Sequence, residues 1–111
     1  MAVRKYYREL ILASTTSAVD WTIKEGDSFS IKRISINIGV AATSAGSITI
    51  TLDSAEGAAY DTVLRTIDPV ATAATSVVLE DIEGLANGDA IVVAYANPDS
   101  RTITGTATTE L

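Results

Sequence analysis

Histidine and cysteine are both absent from these 111 residues. Without histidine there is no Ser-His-Asp or Cys-His machinery and no ordinary general base near neutral pH. Without either residue a zinc site loses its two main ligands, and no disulfide staples the fold. The glycine-rich spacings that cradle phosphates, GxGxxG and GxxxxGK, do not occur. No run approaches the roughly 18 apolar residues of a membrane span. The start, Met1-Ala2-Val3-Arg4-Lys5, is followed by Tyr6-Tyr7-Arg8-Glu9 where a secretory signal carries its apolar core. No signal is therefore expected there, and synthesis and use from the cytoplasm of the producer is. The expectation is a non-enzymatic chain without cofactor, metal or membrane partner.

Basic residues are scarce, eight against fourteen acidic, for a net charge of −6. Residues 1–33 hold six basic and four acidic side chains, and residues 34–111 hold two and ten. An acidic body argues against binding a phosphate backbone. A basic end on an acidic body is suited to steering copies of the chain together.

What is present is period-two alternation, with helical periodicity nearly missing. Arg4–Leu12 reads as a first strand with mixed faces, which suits an edge or an arm. Ala13–Asp20 reads as a loop and Trp21–Ile23 as a short strand. In Ser28–Val40, Phe29 and Ile31 share one parity while Ile34, Ile36, Ile38 and Val40 share the other. Such a switch needs one extra residue, so a β-bulge is expected at Lys32-Arg33. Ser47–Leu52 alternates with Ile48, Ile50 and Leu52 inward. Tyr60–Ile67 is a weaker strand broken by Asp68-Pro69, and Ala71–Ala74 is a loop. Thr75–Leu79 is a strand with Val77 and Leu79 aligned, and Glu80–Gly88 is acidic and turn-rich. Ala90–Ala96 is a near-continuous apolar run, expected to be a central strand buried on both faces. Asn97–Ser100 is expected to join it to Arg101–Thr109 as a hairpin. About eight short, mainly antiparallel strands make one all-β domain, a β-sandwich or jelly roll spanning 1–111, with 1–12 as an N-terminal arm or edge strand.

Three constellations invite chemistry. Asp53, Glu56 and Asp61 cluster around a turn, but their spacing matches no calcium loop and a solvated turn explains them better. Glu80, Asp81 and Glu83 read the same way. Tyr6, Tyr7 and Tyr60 are free aromatics on which a sugar ring can stack, whereas Phe29 and Tyr95 have core parity and Trp21 suits the core or an interface. Arg4-Lys5-Tyr6-Tyr7-Arg8 interleaves base and aromatic, a pattern of single-strand binders. On an acidic chain it fits better as an arm lying on a neighbouring acidic subunit, with an ordinary first strand as the plain alternative.

The strand Thr102–Thr109 carries no charge. Thr102, Thr104, Thr106 and Thr108 form a ladder on one face, opposite Ile103, Gly105 and Ala107. A flat uncharged strand near a terminus is a pairing hazard unless something covers it. It is therefore expected to offer backbone groups to a neighbour, with the threonines pairing across the contact.

The stretch Leu85-Ala86-Asn87-Gly88-Asp89 through Ala90–Pro98, with the Thr/Ala/Gly-rich ending Thr102–Thr109, resembles the penultimate and last strands of small β-sandwich virion proteins of tailed bacteriophages. Ile48-Thr49-Ile50-Thr51-Leu52-Asp53-Ser54 followed by Tyr60-Asp61 is similar to the middle of such proteins. The likeness covers about residues 20–109, and its Leu-x-x-Gly-Asp motif also occurs in unrelated sandwiches, carbohydrate-binding modules among them. The resemblance implies a head decoration (cement) protein located in the virion and made in the host cytoplasm. It would bind capsid or other virion proteins as a homo-oligomer, a trimer first, with no nucleic acid partner. Arg4, Lys5, Tyr6, Tyr7, Arg8, Thr102, Thr104, Thr106 and Thr108 are the expected contact residues. A receptor- or carbohydrate-binding module of a tail or fibre is the alternative.

Overall fold

In the computed structural model, residues 7–40, 42–69 and 76–111 are described. The alternating segments become eight strands: β1 (Tyr7–Thr15), β2 (Val19–Ile23), β3 (Phe29–Ile38), β4 (Ile48–Asp53), β5 (Thr62–Ile67), β6 (Ser76–Leu85), β7 (Ala90–Tyr95) and β8 (Ile103–Glu110). They form two four-stranded sheets, a front sheet ordered β1-β8-β3-β6 and a back sheet ordered β2-β7-β4-β5. Every pairing is antiparallel. The inner faces meet over a β-branched core that includes Ile23, Ile31, Ile34, Ile36, Ile48, Ile50, Ile91, Val93 and Ile103. Side chains of this shape pack well on a pleated surface. The fold is an all-β sandwich, as the alternation predicts.

Phe29 and Ile31 are buried, and so are Ile34, Ile36 and Ile38. Between the two sets the β3–β8 register shifts, with Ile31 opposite Thr109 and Arg33 opposite Thr108. Lys32 is the extra residue, so both halves of a strand with conflicting parity face inward. Val40 lies beyond the end of β3 and is exposed, not inward as its parity suggests.

Several expectations are corrected. The loop expected over Ala13–Asp20 shrinks, because β1 runs on to Thr15 and β2 starts at Val19. The Glu80–Gly88 segment is mostly strand. β6 continues to Leu85, with Asp81 (φ 56°) and Gly84 (φ 75°) as left-handed irregularities, which an edge strand tolerates. β5 begins only at Thr62, since Ala58–Tyr60 form a 3-10 turn. The outer face of β7 is half-exposed at Val92 and Ala94, so its apolar run is not covered on both faces. The loop at 71–74 and the strand start at Thr75 lie outside the described residues, as do the side chains of Val77 and Leu79.

The largest correction concerns Asn97–Ser100. β7 belongs to the back sheet and β8 to the front, so this connection is an arch between layers and not a hairpin. Asn97 is buried in a left-handed conformation (φ 53°). Its amide donates to the carbonyls of Ser17 (3.0 Å) and Arg101 (2.9 Å), and its Oδ1 accepts the Arg101 N–H (3.0 Å). Those bonds fix the turn to the β1–β2 corner and send the chain across the sandwich.

Candidate interaction surface

β8 is the centre of the question, and its place in the sheet overturns one expectation. It pairs with β1 on one side and β3 on the other. Its backbone is consumed within the chain, so no unpaired edge is offered to a neighbour. The hazard of an uncharged strand is removed by its own flanking strands.

The side chains remain available. Ile103, Gly105, Ala107 and Thr109 point inward and are buried, while Thr104, Thr106 and Thr108 stand half-exposed on the outer face. Thr102 precedes the strand, exposed, and its carbonyl accepts the Gly39 N–H (2.9 Å). Register extends the ladder sideways. Thr106 is opposite Ile11 on β1 and Ser35 on β3, and Ser35 is opposite Val78 on β6. Thr104 is likewise opposite Ser14 and Asn37. Two successive rows of the front sheet are therefore uncharged, short and hydroxyl-rich. The next row is charged, with Glu9 and Arg33 flanking Thr108.

β1 is an edge strand, as its mixed faces suggest. Leu10 and Leu12 pack against the core, while Tyr7 is 60% and Ile11 85% exposed. Arg8 is engaged internally. Its Nη1 donates to Oε2 of buried Glu25 at 3.0 Å, and the Thr109 hydroxyl donates to the other oxygen at 3.1 Å. Arg4, Lys5 and Tyr6 lie outside the described residues. Tyr60 is exposed on the other sheet's turn. Neither Tyr7 nor Tyr60 lines either of the two described clefts.

Several apolar exposures were not singled out in the sequence. Among them are Ile11 and the pair Val63 (58%) and Leu64 (43%) on β5, an edge of the back sheet. Consecutive apolar residues on weakly phased strands, Leu10-Ile11-Leu12 and Val63-Leu64, were the available signal. Alternation cannot hide both members of such a pair.

Charge gathers at one end. The registers Tyr7 opposite Glu110, Phe29 opposite Leu85, Ile23 opposite Ile91 and Asp53 opposite Ala90 place the first residues of β1 and the turns 24–28, 54–61 and 86–89 together. That end carries Asp27, Glu56, Asp61, Glu83 and Asp89, while Lys32 Nζ sits 3.3 Å from Glu83 and Glu110 and 3.9 Å from Asp81. Glu110, then Glu83, hold the Lys32 ammonium above its usual pKa. Asp61 accepts the Ser54 N–H (2.9 Å), which makes it a turn lock. Among the described residues no three His, Cys, Asp or Glu side chains are grouped to hold a metal. Asp89 accepts the N–H groups of Ala55 (2.8 Å) and Ala86 (2.9 Å), and these bonds lower its pKa. At the far end Asp99 accepts both N–H and hydroxyl groups of Thr43 and Ser44, and is held well below the usual carboxylate range, chiefly by Ser44. These carboxylates tie loops together.

Comparison with protein-family models gives no match, and comparison with curated proteins gives none either.

Proposed function

We propose that this chain is a non-enzymatic structural protein of a phage particle, a capsid decoration protein that docks on neighbouring shell subunits. The uncharged row Ile11–Thr106–Ser35–Val78 across the front sheet, ending in an isoleucine 85% exposed, carries this reading. A sheet face of threonine, serine and exposed aliphatic side chains costs little to desolvate and presents hydroxyls that pair with a partner's backbone. The resemblance of residues 20–109 to small virion sandwiches supplies the kind of partner. The basic residues Arg4 and Lys5, which precede β1 in sequence, add complementarity between neighbours on the shell. Stable docking of this type buries on the order of 1,600 Å² in total.

The experiment is binding to shells assembled from the capsid protein of the same virus. Thr106→Glu sets a carboxylate in the middle of the row. Burying it unpaired at a contact is expected to lower occupancy about tenfold or more, with the urea midpoint of the free protein close to wild type. Full occupancy by the variant rejects the threonine face as the docking surface.

A further inference from the structure

β1 and β2 are both sheet edges, and they lie on the same side of the sandwich. Among the described residues β1 pairs only with β8 and β2 only with β7. Between the two open edges runs a cleft of about 390 Å³, lined by Leu10, Ile11 and Leu12 from one sheet and by Asp20, Trp21, Thr22 and Lys24 from the other. Soluble proteins blunt such edges with lysine, proline or a bulge. Here neither strand contains lysine or proline; β1 keeps Arg8 and Glu9 near its start and a register shift between Ile11 and Ala13, and between them Leu10, Ile11 and Leu12 form an uncharged stretch.

We infer that this seam is a self-association surface, in which β1 of one copy pairs antiparallel with β1 of a second copy about a two-fold axis at Ile11. The inference rests on reading the chain as an adhesive structural domain, and it names a second copy of the chain as a partner. Charge selects the register. Centred on Ile11, the pairing sets Leu10 opposite the second copy's Leu12 and Arg8 opposite its Ser14. The two copies of Glu9 then stand about 14 Å apart along the strands. Centred on Glu9, the two carboxylates would meet directly, which is unfavourable. Centred on Leu10, each Ile11 would face a Glu9. The Ile11 register alone buries the most exposed large apolar side chain against its own copy.

The same axis serves the second sheet. Trp21 and Thr22 line the same cleft as Ile11. A two-fold through both layers therefore brings β2 towards its copy at the same time. Each copy contributes the nine residues of β1 and the five of β2. That is fewer than the roughly 20–30 residues a side of a standard interface, so the dimer is of micromolar strength. The paired edges favour this two-fold over the three-fold that the resemblance implies, because a three-fold cannot join β1 to β1.

The chain has no cysteine, so one introduced thiol reports the geometry cleanly. Residues opposite one another in an antiparallel pair have Cα atoms about 4.5–5.5 Å apart, within disulfide range. Ile11→Cys is expected to form a covalent dimer under mild oxidation at least about tenfold faster than Tyr7→Cys, whose thiols would lie about 27 Å apart in this register. Native mass at about 100 µM should show two chains for the wild type and one for Ile11→Lys. Position 11 is solvent-facing, so circular dichroism and the urea midpoint should match between the two. A trimer, a monomer at that concentration, equal crosslinking at positions 7 and 11, or preferred crosslinking of Ile11→Cys to Thr22→Cys each overturns the inference. Binding of the Thr106 face to shells is read separately, so failure of the dimer leaves the docking proposal standing, and the reverse.

Discussion

Gly105 lies directly against the indole of Trp21: a Cβ at position 105 would meet Cζ3 and Cε3 of the ring and come within 2.9 Å of Cη2. The central strand of the front sheet leaves out a side chain so that the chain's single tryptophan, on the edge strand of the back sheet, can reach over it. Gly105→Ala is expected to cost about 1–3 kcal/mol through overpacking, and Trp21→Ala about 3–5 kcal/mol through the cavity left behind. Urea unfolding followed by circular dichroism measures both. An unchanged midpoint for Gly105→Ala would show that the ring has room to move.

Acid should loosen the loops before the core. Asp99 and Asp89 have depressed pKa values in the folded chain. A depressed carboxylate contributes stability that is fully present above its unfolded pKa, near 3.9, and is lost as pH falls through that value toward the lower folded one. Asp99→Asn should therefore lower the melting temperature at pH 7, and the gap to wild type should narrow below about pH 4. A gap that stays constant down to the acid limit would remove the Thr43–Ser44 lock as its source.

Arg8 and Glu25 give a prediction at the other end. Arg8→Ala leaves the buried carboxylate of Glu25 with the Thr109 hydroxyl as its one remaining side-chain partner among the described residues. The expected loss is about 1–3 kcal/mol, with Arg8→Lys recovering part of it. Chemical denaturation at pH 7 measures it, and no loss would mean that solvent already serves Glu25.

Asn97 combines a left-handed backbone with three side-chain bonds, and two variants separate the contributions. Asn97→Gly keeps the permissive backbone and loses the bonds. Asn97→Ala loses both and should be the less stable by roughly 1–2 kcal/mol, the cost of placing a Cβ in the left-handed region. Equal stabilities would assign the whole effect to the hydrogen bonds.

The local pattern was readable and the connectivity between layers was not. Isoleucine spacing in 28–40 carried the two inward sets and the bulge at Lys32, because parity is a property of adjacent residues. Asn97-Pro98-Asp99-Ser100 announces a reversal, but a reversal within a sheet and one between sheets use the same turn residues. The deciding bond runs from Asn97 to Ser17, eighty positions away. The same blindness affected β8, whose lack of charge was legible while the strands covering it, β1 and β3, were remote in sequence. Of the expected contact residues, Thr104, Thr106 and Thr108 stand together on the outer face, whereas Arg8 is committed to Glu25. Ile11 escaped notice because it sits between two leucines that the core does claim.

The position of β8 bears on how the molecule is made. β1 and β3 do not pair with each other; the segment 103–110 fills the slot between them. A growing polypeptide on the ribosome, at about 5–20 residues per second, must wait several seconds before that slot can close. Until then the two strand edges that flank the slot, those of β1 and β3, stay unpaired. Truncation within the last eight positions of the ladder would thus strand the nascent chain in an open form, and holdase chaperones would be its natural companions during that interval.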